Sequence, residues 1–95
     1  MNDRQVYIDK IKAQLDEWSA EIDQLEAKAE GATADARAEY QEQLANLREK
    51  QSEASARLEA LQSEGAGAWE EIKEGAKQAA DALGDALKKA KAKFG

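Results

Sequence analysis

The chain of 95 residues has no cysteine, no histidine and no proline. Without cysteine there is neither a disulfide framework nor thiol chemistry, and the redox compartment leaves no trace. Without histidine the common zinc sets and imidazole acid–base catalysis are excluded. Ser19, Ser52, Ser55, Ser63 and Thr33 therefore have no histidine to activate them. The lack of proline removes the strongest helix breaker. Aromatics make up only 5% of the chain, so a core built from it must be a narrow seam. No apolar run reaches the length of a signal peptide core or a membrane span, which makes the cytoplasm the expected location.

What remains is the composition of long helices and coiled coils: charged residues reach 36%, and Ala, Glu, Lys, Gln, Leu and Arg dominate. The formal net charge of −6 argues against nucleic acid as a partner, because phosphate neutralisation needs a basic stripe. The charge is uneven along the chain. Residues 1–64 carry 15 acids and 8 bases, whereas residues 65–95 carry 5 acids and 6 bases.

From Ile8 the apolar positions advance by three and four without a miss, through Ile11, Leu15, Trp18, Ile22, Leu25, Ala29, Ala32 and Ala36. This is the a/d spacing of a coiled-coil seam. The step then becomes four twice, Ala36 to Tyr40 to Leu44, before Leu47, Gln51, Ala54, Leu58 and Leu61 resume the heptad. One extra residue changes the supercoil locally or marks a change of element. The clear break is Ser63-Glu-Gly-Ala-Gly67. Beyond it Trp69, Ile72, Ala76, Ala79, Leu83, Leu87, Ala90 and Phe94 share a helical face, with Glu70, Glu71 and Glu74 near its start and Lys88, Lys89, Lys91 and Lys93 at its end, as the helix dipole prefers. The expected organisation is all-α: a long coiled-coil helix over 1–64 with a candidate turn at 31–36, a glycine break at 65–67, and an amphipathic helix with a basic end over 68–95.

Antiparallel pairing of the first segment's halves brings Ile8 to Leu61, Ile11 to Leu58, Leu15 to Ala54, Trp18 to Gln51, Ile22 to Leu47, Leu25 to Leu44 and Ala29 to Tyr40, every pair summing to 69. In this register the Trp18 indole N–H has Gln51 as an acceptor and Glu21 meets Lys50, while a parallel dimer would set Glu21 against Glu26. Two closures satisfy it. A turn near Gly31, with Thr33 or Asp35 as helix cap, gives a monomeric three-helix bundle. A continuous helix gives a domain-swapped antiparallel dimer with the same contacts made between copies. The alanine-rich stretch Ala32-Thr-Ala-Asp-Ala-Arg-Ala38 favours the continuous helix, and so a homodimer or higher homo-oligomer, with another helical protein as the alternative partner.

No cofactor or metal is implied. Glu70 and Glu71 point to different helical faces, and Glu70 with Glu74 lacks converging ligands. The glycines at 65, 67, 75 and 84 do not form a phosphate loop. Trp18 and Trp69 fall on apolar faces and read as packing residues. The basic end, Lys88, Lys89, Lys91 and Lys93 with Phe94, is a candidate contact for an anionic membrane surface.

The stretches Ala68-Trp-Glu-Glu-Ile-Lys-Glu-Gly-Ala76 and Lys77-Gln-Ala-Ala-Asp-Ala-Leu83, with Ile11-Lys-Ala-Gln-Leu-Asp-Glu-Trp18 and Ala34-Asp-Ala-Arg-Ala-Glu-Tyr40 upstream, resemble a family of small bacterial coiled-coil proteins linked with stress responses. That resemblance covers most of the chain and implies a soluble, non-enzymatic helical protein; it supplies no functional residues. The second helix also looks loosely like the eleven-residue repeats of exchangeable apolipoproteins and late-embryogenesis-abundant proteins, which is where the lipid-binding expectation draws its second support.

Overall fold

The computed structural model describes residues 3–63 and 66–94, the Ala66 side chain excepted. Three long helices account for nearly all of them: α1 (Asp3–Glu30), α2 (Ala34–Ser63) and α3 (Trp69–Phe94), the last preceded by a single 3-10 turn at Ala66–Ala68. Gly65, the first glycine of the expected break, lies outside the described residues.

The expected continuous helix over 1–64 does not form, because the chain turns at residues 31–33. Local hydrogen bonding explains the outcome. The amides of Gly31 and Ala32 donate to the carbonyls of Lys28 and Ala29, both at 3.2 Å, which tightens and closes the end of α1. Thr33 then caps α2: its Oγ1 accepts from the Ala36 amide at 3.4 Å, and its carbonyl takes the first helical bond, from Arg37 N at 2.7 Å. Arg37 reaches back to donate from Nη2 to the Glu30 carbonyl at 3.0 Å, satisfying one of the acceptors that α1 leaves open.

The helices pack as an up-down-up bundle. Cross-helix contacts set α1 against α2 in antiparallel fashion, as in Ser19 with Gln51 and Asp23 with Arg48. The pairs Tyr40 with Phe94 and Arg57 with Gly75 make α2 and α3 antiparallel as well. Pairs such as Trp18 with Gly84 and Glu21 with Lys91 then make α1 and α3 parallel. All three helices touch one another, α1 and α3 least. The result is a rod of 51 × 20 × 18 Å.

Its core is apolar throughout, with no buried polar or charged side chain among the described residues. Ile11, Leu15, Ile22 and Leu25 of α1 join Leu47 and Ala54 of α2 and Ala80, Leu83, Leu87 and Ala90 of α3. A smaller cluster of Ile8, Leu61 and Ala76, flanked by Tyr7, Trp69 and Ile72, closes the end where α1 begins. Three of the five buried α3 residues are alanines, which allows α3 to lie close against the hairpin.

Candidate functional site

Among the expected seam residues, Ile8, Ile11, Leu15, Ile22, Leu25, Leu47 and Leu61 are buried, and Trp18, Tyr40, Leu44, Gln51 and Leu58 are half-buried. The α1–α2 register is close to the expected one: the observed cross-pairs Ser19 with Gln51 and Asp23 with Arg48 sum to 70 and 71. The layers are not confined to two helices, however. Burial against α3 widens the narrow a/d seam into the broader stripe that a three-helix bundle needs.

Two polar expectations are corrected by that third helix. Trp18 turns towards α3, where the space above Gly84 receives its ring. Gln51 instead donates to Ser19 Oγ and accepts from Arg48 Nη1 at 3.1 Å. Glu21 pairs with Lys91 of α3 in place of Lys50, because a helix lying alongside α1 offers a cation that hairpin reasoning does not see. Lys50 lines a groove between α2 and α3 with Glu53, Arg57 and Gln78.

The strongest polar feature is a ladder across the outer α1–α2 edge. Arg48 Nη2 lies 3.0 Å from Asp23 Oδ1 and also binds Glu26. The hydrogen bond donated to Asp23, then that to Glu26, holds the guanidinium in its charged form and raises its pKa further. With Gln51 and Ser19 these groups form a continuous register mark on the surface. A groove of about 560 Å³ beside it is lined by Ala29 and Leu44 between Arg37 and Arg48, with Glu26 and Glu30 opposite. Both arginines are engaged, Arg37 on the carbonyls of Glu30 and Ala32 and Arg48 on carboxylates.

Lys88, Lys89, Lys91 and Lys93 are exposed at the end of α3, with Lys91 bound to Glu21. Phe94 is not free to enter a lipid boundary. It stacks on Tyr40, the ring centroids 4.0 Å apart and the planes 20° from parallel. The rest of the α3 apolar face is spent on the core. No described helix is long and apolar enough to cross a membrane. Glu74 accepts from Gln78 at 3.4 Å, and no group of three or more acidic, histidine or cysteine side chains among the described residues is arranged to hold a metal.

At the opposite end Tyr7 packs edge-on to Trp69, centroids 6.0 Å apart, under Lys73. Burial raises the phenol's pKa, and the nearby charges of Asp81 and Glu74 raise it further. Sequence reasoning missed Ser19, Arg48 and Gly84 as contact residues, and offered Lys91 to a membrane surface without foreseeing its pairing with Glu21. Of these only the bare position at Gly84, on the apolar side of α3, carried a signal: a glycine inside a helix otherwise lacks a reason.

These features define an all-helical bundle that acts through helix packing. Compared with protein families, with curated proteins and with solved structures, the chain matches none, so its own residues carry the reading.

Proposed function

We propose that this is a cytoplasmic, non-enzymatic interaction protein that works by helix-to-helix self-association and serves a stress response. One observation supports it most: among the described residues the buried side chains lie on faces where one helix meets another, and every buried one is apolar. Polar groups are used at the rim, where Arg48, Gln51 and Ser19 mark the register of α1 on α2. Such an arrangement discriminates one helix pairing from another, which is the work of an interaction protein. Light scattering across a dilution series tests it. The expected result is a mass that falls towards 10.4 kDa on dilution; a constant monomer mass at every concentration contradicts self-association.

The stress association follows from the resemblance described above. Unchanged survival of a deletion strain under heat, oxidative and osmotic challenge would remove it.

A second reading, contact with an anionic membrane surface, is favoured by the four exposed lysines at the end of α3. With Phe94 stacked and the α3 leucines buried, such contact is by charge alone. Flotation with anionic vesicles should then occur at low salt and vanish at physiological salt. No flotation at low salt removes this reading.

A further inference from the structure

We infer that residues 31–33 are a hinge through which two copies exchange α1, so that α1 and α2 of each chain fuse into one helix and each bundle is completed by the partner copy. The inference rests on the self-association reading and names its partner, a second copy of this chain.

Three observations carry it. The turn needs no special backbone, since no described residue has a positive φ, and a Cβ at Gly31 would meet nothing nearer than the Lys28 carbonyl at 3.8 Å. Every position from 30 to 34 can therefore enter a helix. The apolar spacing also runs through the turn, as Ala29, Ala32, Ala36, Tyr40 and Leu44. A continuous helix thus keeps the α1 and α2 seams on one side, and pairs that sum to about 70 put the two-fold axis at Ala34 and Asp35, flanked on the seam by the small Ala32 and Ala36. Finally, the side-chain contacts that distinguish the closed turn are few and exposed: Thr33 Oγ1 with the Ala36 amide, and Arg37 with the carbonyls of Glu30 and Ala32.

All other contacts, including the Arg48 ladder and the Trp18–Gly84 packing, are the same whether they form within one chain or between two. The balance is therefore set by concentration and by the turn alone. Thr33 and Arg37 act as its latch. In the exchanged form residues 3–63 make one helix about 92 Å long at 1.5 Å per residue.

Two variants push the hinge in opposite directions. Thr33→Ala with Arg37→Ala removes the latch and improves the helix, which favours exchange by about tenfold per chain and so about a hundredfold in the dimer association constant. Ala34→Pro does the reverse. Position 34 is the first residue of α2, where proline is welcome in the turned form, but inside a fused helix it weakens exchange by more than a hundredfold per chain.

The readout uses the adjacent pair Ser19 and Gln51. Full-length chains carrying Ser19→Cys or Gln51→Cys are mixed in denaturant, refolded together at high concentration, and joined with a short thiol-to-thiol crosslinker. The expected result is a covalent dimer from the mixture, increased by the latch-free background and abolished by Ala34→Pro, with helicity by circular dichroism unchanged in all. A dimer by light scattering that gives no crosslink between chains overturns exchange and leaves self-association standing. Monomers in every background at every concentration overturn both. Crosslinking that persists undiminished in Ala34→Pro overturns the hinge.

Discussion

The indole of Trp18 on α1 lies against Gly84 on α3 so closely that a Cβ built on the glycine would stand 2.9 Å from Cζ2 and 3.1 Å from Cη2. The pair is a lock between the two helices that otherwise touch least. Because the ring is rigid and packed on the core, it cannot yield as the end of a flexible chain could.

Gly84→Ala should therefore destabilise the bundle even though alanine is the better helix former. Overpacking outweighs the propensity gain, leaving a net loss of about 1–2 kcal/mol and a Tm lower by about 5–10 °C. Gly75→Ala is the internal control. Its Cβ would meet only Arg57, at an ordinary 3.5 Å, so the gain of about 0.5–1 kcal/mol is kept. Thermal melts of the two variants should move in opposite directions, and a rise in both would show that Trp18 does not need the gap.

Leu47→Ala and Leu83→Ala each empty a site that is 0% exposed at the junction of all three helices. Each should cost about 2–5 kcal/mol by urea denaturation. A cost below 1 kcal/mol for both, which is roughly the scale of a surface change, would mean the three helices do not share one core.

Tyr7 gives the bundle an alkaline weakness. Its folded pKa lies above the ordinary 10.0, through burial first and then the carboxylates Asp81 and Glu74. Below the unfolded value the phenol is neutral in both states and its contribution is fully present. As pH rises beyond it, the unfolded chain loses the proton more readily, and stability falls until the folded pKa is passed. Urea midpoints measured from neutral to strongly alkaline pH should fall more steeply for the wild type than for Tyr7→Phe. Parallel curves would contradict this.

Arg48→Met should weaken the bundle by only about 0.2–1 kcal/mol, because its ion pairs are solvent-exposed. The difference from wild type should shrink in high salt, as screening removes what the arginine contributes. A deficit that stays the same in high salt would assign the role of Arg48 to the packing of its stem.

Much of the architecture was legible because it follows from local spacing. The three-and-four step from Ile8 to Leu25 specifies which side of α1 is buried, and the dipole-matched ends of α3 mark it as a separate helix. The turn was harder to weigh. Its decisive bonds come from one threonine hydroxyl and from Arg37 reaching back seven residues to Glu30, against an alanine-rich background that favours helix. The α3 contacts of Trp18 and Glu21 were not legible at all from the hairpin register, since they depend on how a third helix is set along α1. Ala79 and Ala80 show the same limit on a smaller scale: the expected stripe passed through Ala79, yet Ala80 is the buried one. Adjacent alanines carry no difference in hydrophobicity for a spacing argument to use.

The rod measuring 51 Å along its axis and 20 × 18 Å across also sets how the molecule rotates. It spins about its axis faster than it tumbles end over end. Helical N–H bonds lie almost parallel to that axis, so nitrogen-15 relaxation senses mainly the slow tumbling, at nearly one value through α1, α2 and α3. The amides of residues 31–33, outside the three helices, are where the spectrum should register a different rate.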